Sequence, residues 1–514
     1  MKSGYLAFTL NGSVDYDRLF EEIQTLFPVQ EQAVFHVDEQ YLDTFDWRIY
    51  NSGFVFRRTG TRYLLASLSG VPVREISGPK KPKLFWWDFP EGAFRESLAS
   101  ISGNRALCPV LRVAGLRKNF KLNNRDKKIV LRLRLDTGEV FVDEEGRGAF
   151  APQLYVEGVR GYEKPARRVA ELLKKNGWQE LKAGVSFFDL TLRVIDRQPI
   201  DYKSKYSVVI EPEQTTSQAI SRIGLALHSA MERNLPGVLE DVDSEFLHDF
   251  RVALRRTRSV LSQFKNEIPP GQAGVFQEEF KWLGSITGPV RDLDVCLQKE
   301  ETYRGLLPDS LHQGLARLMG EIQQRRKDQF IKMQENLRSA RAVNLLANWH
   351  AFMTVLPADR EWPAGQIPCR QVAVKGVRRC FRRLVRDARL VIEGEHGDAA
   401  VHSLRIQAKK FRYMAEFFRR FFPANDIDFL LKELHGLQDD LGYFNDLAVQ
   451  IRGFQQRLET LQPDETNRDT LDGLLVRLAA QKKRILKRCV KRCDTFMDQN
   501  RMQPFGEVSK KTTG

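Results

Sequence analysis

His248-Asp-Phe-Arg-Val-Ala-Leu-Arg-Arg-Thr-Arg258 and His402-Ser-Leu-Arg-Ile-Gln-Ala-Lys-Lys-Phe-Arg412 read as one helix written twice. An offset of 154 residues lays His248 on His402 and Arg251 on Arg405. It also lays Arg255, Arg256 and Arg258 on Lys409, Lys410 and Arg412. The register holds outward without a gap, through Ala219/Ala373, Phe264/Phe418, Glu279/Glu433, Leu283/Leu437, Gly288/Gly442 and Asp292/Asp446. A single offset sustained over this distance predicts two helical units of similar build, each long enough for about four helices.

At about 100° per residue, His248, Arg251, Arg255 and Arg258 fall within an arc of roughly 80°. Phe250, Leu254, Leu261 and Phe264 lie on the other side. The second copy repeats the division, with His402, Arg405, Lys409 and Arg412 on one stripe and Leu404, Ala408, Phe411 and Phe418 opposite. A helix that is merely soluble mixes signs to gain i,i+4 pairs. These stripes are nearly all positive, and such cations repel each other unless an anion sits nearby. Upstream of the second copy, Lys375, Arg378, Arg379, Arg382, Arg386 and Arg389 form a further basic stripe, expected to share the second unit's groove. Fourteen basic and five acidic residues stand between positions 370 and 420. Arg forks and Lys point charges match phosphate oxygens. No aromatic is in phase with the stripes, so base stacking is not their use. The expected ligand is a polymer that is phosphate without bases.

Composition agrees. The chain has 514 residues, 42% apolar and 29% charged, with a net charge of +15. That excludes a disordered chain and favours a polyanionic partner. No apolar run is long enough for a membrane span. Met1–Leu10 turns polar too soon for a signal peptide. Six cysteines, Cys108, Cys296, Cys369, Cys380, Cys489 and Cys493, are too sparse for a secreted disulfide framework, so a reducing cytoplasm is expected.

The first two hundred residues have another texture. Phe54-Val-Phe-Arg, Ile129-Val-Leu-Arg-Leu-Arg-Leu and Val140-Phe-Val alternate with period two and read as half-buried strands. Helical windows interrupt them at 15–27 and Pro165–Gly177. After about residue 215 the spacing is helical, with segments predicted at 217–235, 244–265, 274–286, 371–393, 400–421 and 427–441. The expected domains are 1–205, a linker at 206–216, helical repeats at 217–353 and 371–500, and a polar tail at 501–514.

The paired His motifs, with Trp282-Leu-Gly-Ser-Ile-Thr-Gly-Pro-Val-Arg-Asp-Leu-Asp-Val and Leu437-Gln-Asp-Asp-Leu-Gly-Tyr-Phe-Asn-Asp, resemble the CHAD domain, the conserved histidine α-helical domain. The resemblance implies two four-helix bundles related by pseudo-twofold symmetry, with inorganic polyphosphate bound on the basic surface between them. Carried over, the binding residues are His248, Arg251, Arg255, Arg256, Arg258, His402, Arg405, Lys409, Lys410, Arg412, Lys375, Arg378, Arg379, Arg382 and Arg386. Such a ligand also suggests polyphosphate granules as a location.

Residues Tyr41–Arg57, Leu107–Val113 and Val130–Gly138 resemble strands of the CYTH, or triphosphate-tunnel, family. That resemblance implies a closed antiparallel β-barrel, so the fold class is α+β, a barrel followed by an all-α domain. Arg57 fits the family's arginine. Arg112, Arg132 and Arg134 are tunnel cations where their strand faces point inward. The family's E-x-E-x-K strand corresponds to Tyr5-Leu-Ala-Phe-Thr, without its acids or its lysine, and its T-x-K strand to Ala66-Ser-Leu-Ser. Without metal, a triphosphate hydrolase lacks its main means of neutralising charge and activating water. No catalytic set, metal or cofactor is therefore read. A non-catalytic polyphosphate-binding protein is expected. A metal-dependent triphosphatase in the barrel and an RNA-binding protein using the basic face are the rival readings. The Asp292/Asp446 pair is expected at a helix end, as a cap or an arginine partner.

Overall fold

The computed structural model describes residues 5–10, 12, 15–81, 83–182, 185–202, 208–358, 361–394, 397–460 and 468–497. The polar tail at 501–514 and the first two positions of the expected linker lie outside the described residues. The chain divides into two units, Met1–Tyr206 and Ser207–Gly514. Among the described residues no helix is long and apolar enough to cross a membrane.

In the first unit the elements run β1 (Tyr5–Thr9), α1 (Tyr16–Leu26), β2 (Val29–Asp43), α2 (Arg48–Asn51), β3 (Phe54–Thr59), β4 (Arg62–Ser67), β5 (Pro72–Ser77) and α3 (Ala93–Ser102). They continue with β6 (Cys108–Asn123), β7 (Ile129–Val142), β8 (Glu145–Ala149), β9 (Gln153–Gly158), α4 (Glu163–Lys175), β10 (Gln179–Glu180) and α5 (Phe187–Val194). The sheet is antiparallel in order β10-β1-β9-β7-β6-β2-β3-β4-β5, with β8 beside β7. Alternation decides the faces of β7. Leu131, Leu133 and Leu135 pack with Phe8, Leu154, Val156 and helices α1 and α4 in one core. Fully burying each such leucine contributes about 1.5–3 kcal/mol. The sheet does not close into the expected barrel. Its path ends at β10 and β5. β10 is only two residues long, and β5 starts at Pro72 and is largely exposed. Neither edge offers a ladder long enough to join the other.

The second unit runs α6 (Thr216–Leu239), α7 (Ser244–Gln263), α8 (Gln272–Leu297), α9 (Glu300–Leu306), α10 (His312–Arg338), α11 (Ala340–Val355), α12 (Cys369–Ile392), α13 (Gly397–Phe417), α14 (Ala424–Thr460) and α15 (Arg468–Met497). The repeat is visible in the element order, since α12–α15 follow α6, α7, α8 and α10 at a spacing of 152 to 156 residues. Helices α12, α13, α14 and α15 pack in a ring of four. The first copy adds the short α9 and also α11, the latter packed against α6, α8 and α10. Capping starts the helices where the sequence changes. Asp243 accepts from the Glu245 and Phe246 amides at 2.8 and 3.1 Å, and Thr215 with Gln218 forms a capping box.

The apolar faces of both His helices are buried, Phe250, Leu254, Leu261 and Phe264 in or just after α7 and Leu404, Ala408, Phe411 and Phe418 in or just after α13. Phe264 and Phe418, equivalent in the repeat, meet edge to face with centroids 5.8 Å apart. The two copies therefore pack through equivalent positions. Two helices outrun their expected ends. α8 passes through Pro289 to Leu297, and α14 continues past Leu441 to Thr460. Gly442 is not a stop, because the second bundle packs α15 along α14.

Candidate anion-binding site

Helices α7 and α13 pack against each other, and their stripes meet. The charges acting most strongly on the Lys409 ammonium are Arg255 from α7 and Arg405 and Arg412 from α13, with Asp446 opposing them. Burial first, then these three cations, push Lys409 down to about 6. Arg405 feels Arg255 across the seam, with Asp446 and Asp292 on the favourable side, and burial is again the largest cause of its lowered value. Arg251 is lowered by burial and then by Arg255, Arg291 and Arg258, while Asp292 supports its charge. The Nε atoms of Arg251, Arg255 and Arg405 are buried without a hydrogen-bond partner among the described residues. Six cations, Arg251, Arg255, Arg258, Arg405, Lys409 and Arg412, thus line one seam.

Only some of them are held in place by protein partners. Arg251 Nη1 donates to the Gly284 carbonyl at 3.0 Å and to Thr287 Oγ1 at 2.8 Å. A Cβ at Gly284 would come within 3.3 Å of Arg258 Nη1, so a glycine on α8 leaves room for the guanidinium. Arg412 reaches Glu416 at 3.4 Å. Asp292 and Asp446 sit inside α8 and α14 rather than as caps, because both helices run on. Asp292 is held above the usual carboxylate range by the protein around it. Arg251 opposes that shift and Asp446 adds to it. Each acid serves as an arginine neighbour of the seam.

Other residues of the sequence-derived set lie elsewhere. Arg256 is buried, and its Nη2 bonds Glu416 Oε2 at 2.6 Å, tying one bundle to the other. Lys410 faces α12, where it, Arg379 and Arg383 surround the Cys380 thiol. Arg379 donates to the Gln263 carbonyl at 3.0 Å and completes the C-terminal turn of α7, a favourable place for a cation. Lys375, Arg382 and Arg386 are exposed and Arg378 is half-buried, while Arg386 pairs with its neighbour Asp387 at 2.8 Å. None of the α12 cations is among the strongest charges on Lys409, Arg405 or Arg251. His248 and His402 mark the N-terminal end of each stripe, bonded to Arg291 and Asn445 at 3.0 Å each.

Residues 222–455 match the family model of the CHAD domain. The helical unit carries a CHAD domain. Among solved structures, the CHAD domain from the plant Ricinus communis is 25% identical, over 56% of this chain and 95% of its own length, with a TM-score of 0.48. PptA from Streptomyces chartreusis is 14% identical, over 56% of this chain and 100% of its own, with a TM-score of 0.40. No curated protein matches the chain.

The CHAD domain also holds a cation that sequence reading passed over. Lys299, just beyond α8, has its Nζ buried without a hydrogen-bond partner among the described residues and 5.3 Å from the Tyr443 ring. Burial lowers its pKa, and Asp446 and Cys296 oppose that shift. It stands outside the regular stripe, so helical periodicity gives no signal for it.

In the N-terminal unit, strand register sorts the tunnel candidates. Arg134 pairs with Asn119 and Tyr155, and Arg132 with Lys121 and Glu157. Asp136 pairs with Arg117 in β6, and Tyr41 with Arg57 in β3. Directly opposed residues share a face, so Arg57, Arg132 and Arg134 lie on one face of the sheet. Arg112 pairs with Gln40 and Phe141, on the other face, and binds Asp38 at 2.6 Å. Arg117, absent from the sequence-derived set, joins the first face and forks onto Asp136 at 2.9 and 3.1 Å. Arg57 pairs with Glu39 at 2.8 Å.

Proposed function

We propose that the CHAD domain of this chain binds inorganic polyphosphate along the seam between α7 and α13. The observation that carries the reading is Lys409. An ammonium set among Arg255, Arg405 and Arg412 is electrostatically unfavourable until an anion joins it. Three guanidinium Nε donors of the same stripes, those of Arg251, Arg255 and Arg405, lack acceptors among the described residues. A chain of phosphates supplies charge and acceptors together, spaced along a line as the two stripes are. Protein acids are too few to do this, because Asp292, Asp446 and Glu416, the last shared with Arg256, face six cations. The decisive test is calorimetric titration of the full chain with polyphosphates of graded length. Arg255→Ala with Lys409→Ala should bind at least about tenfold more weakly, since hydrogen bonds to charged groups are worth about 1.5–3 kcal/mol each. RNA at matched phosphate concentration should compete poorly, and equal competition would favour the nucleic-acid reading.

A second reading concerns the N-terminal sheet. We infer that it is a degenerate relative of the triphosphate tunnel. The single face shared by Arg57, Arg117, Arg132 and Arg134 supports this. Of the acids on that face, Glu39 and Asp136 already carry arginines, and Glu157 stands opposite Arg132. The reading assigns that face to anion holding without hydrolysis. Tripolyphosphate incubated with Mg²⁺ or Mn²⁺ should not be hydrolysed above background. Turnover abolished by Arg57→Ala would overturn this.

A further inference from the structure

Positions 255 and 409 are equivalent in the repeat, and the two copies fill them differently, with arginine in the first and lysine in the second. Either residue supplies the charge that a polyanion needs. They differ in chemistry. A guanidinium is not deprotonated in proteins, whereas an amine that loses its proton is a nucleophile. The second copy therefore carries a capacity that anion binding does not require.

The surroundings of Lys409 favour that capacity. Its side chain is half-buried and makes no hydrogen bond or ion pair among the described residues. Arg405 and Arg412 lie four residues before it and three after, the spacing of facing neighbours on a helix. Of the other charges acting most strongly on it, Arg255 comes from α7 and Asp446 from α14. Helix α12, which also packs on α13, supplies none of them. At pH 7.5 about one ordinary lysine in a thousand is neutral. Lys409, pushed down to about 6, is neutral for the most part. The Nε donors of Arg255 and Arg405 are buried and unpartnered among the described residues. The same arginines that oppose an ammonium would hold an anion made from the amine.

We propose that Lys409 is a carbamylation site, its amine adding carbon dioxide to form a carbamate held by Arg255, Arg405 and Arg412. The Nζ lone pair forms a bond to the carbon of CO2. One C–O π bond opens onto oxygen, and a proton of the nitrogen passes to water. No oxidant, metal or second enzyme is required. The product is a carboxylate on the end of the lysine, with two oxygens to accept from the guanidinium groups. It replaces a neutral amine among cations by an anion. The carbamate does not rest on the polyphosphate reading. Its consequence for binding does, since an anion fixed in the seam would oppose a polyanion.

The test uses ¹³C-labelled CO2 and bicarbonate with the full chain, labelled with ¹⁵N at lysine, at pH 7.5 and without polyphosphate. Carbon NMR should show a carbamate signal split by its bond to ¹⁵N, which bound bicarbonate lacks. Lys409→Arg, copying the first repeat, and Lys409→Met should both lose that signal. Signals from other amines remain in the variants and are subtracted. Arg255→Ala with Arg405→Ala should need at least about tenfold more CO2 for equal occupancy, because hydrogen bonds to the charged product are lost. Bicarbonate should also raise the melting temperature of wild type relative to chloride at equal ionic strength, since the modification favours the folded chain, and should not do so in Lys409→Met. The proposal is overturned if wild type and Lys409→Arg give the same spectrum. It is equally overturned if bicarbonate raises the melting temperature of wild type and Lys409→Met alike, which would make it a bound ion and not a carbamate.

Discussion

His248 accepts a hydrogen bond from Arg291, with Nδ1 and Nη2 3.0 Å apart. A guanidinium has only donors, so the neutral ring carries its proton on Nε2. In the second copy, position 445 takes the place of position 291. The amide oxygen of Asn445 lies 3.0 Å from His402 Nδ1, and there the ring nitrogen donates. Each histidine anchors its helix to the next one, with opposite hydrogen-bond polarity. Long-range proton–nitrogen NMR should find Nδ1 unprotonated in His248 and protonated in His402. Identical tautomers in the two rings would contradict the assignment.

Lys409 makes stability and binding depend on pH. Its pKa in the fold, about 6, lies below the ordinary 10.5. Between those values the unfolded chain holds a proton that the folded chain does not. Stability therefore rises with pH across that window, and the penalty is complete below about pH 6. Lys409→Met keeps the stem and removes the charge, so it should raise the melting temperature, most at acidic pH. A polyanion reverses the preference and draws a proton onto Lys409. At about pH 7.5, titrations in buffers of different ionisation enthalpy should show uptake of close to one proton in wild type and none at this position in Lys409→Met. Equal uptake in both would remove Lys409 from the account.

Glu416 joins Arg256 and Arg412, and Arg256 is among the buried charged residues. Removing one partner of a buried pair strands the other charge, at a cost of about 3 kcal/mol. Glu416→Gln should lower the melting temperature by several degrees. It removes an acid from beside the seam, so polyphosphate affinity should stay level or rise. Weaker binding at full stability would mean that Glu416 positions the ligand.

The seam was legible in the sequence because helix periodicity fixes a face from one chain alone. Arg251, Arg255 and Arg258 fall in phase, and so do their counterparts. Periodicity does not say which neighbour a flanking residue meets. Arg256 and Lys410 sit one position, about 100°, off the stripe, and only packing reveals Glu416 beside one and Cys380 beside the other. The α12 stripe shows the same limit, since a basic face is visible in sequence but its direction in the bundle is not. In the sheet, Arg112 and Arg134 look alike within their strands. Their opposite faces follow from register between strands, which a single strand does not encode. Closure failed for a similar reason, because it depends on how long the last strands pair.

Salt should discriminate a seam of ion contacts from a dry pocket. For duplex DNA, neutralising six to ten phosphates loses about 10³–10⁵ in affinity between 50 and 200 mM salt. Six cations on one seam predict a slope of similar steepness for polyphosphate. Log affinity plotted against log salt measures it, and a flat line would point to a hydrogen-bonded pocket instead.

The most direct measurement is titration of polyphosphate into wild type and into the variant carrying Arg255→Ala, Arg405→Ala, Lys409→Ala and Arg412→Ala, each beside its melting curve. Wild type should bind saturably. The fourfold variant should fold with an equal or higher melting temperature, because like charges are relieved, and should show no saturable binding. A folded variant that binds like wild type would contradict the α7–α13 seam as the polyphosphate site.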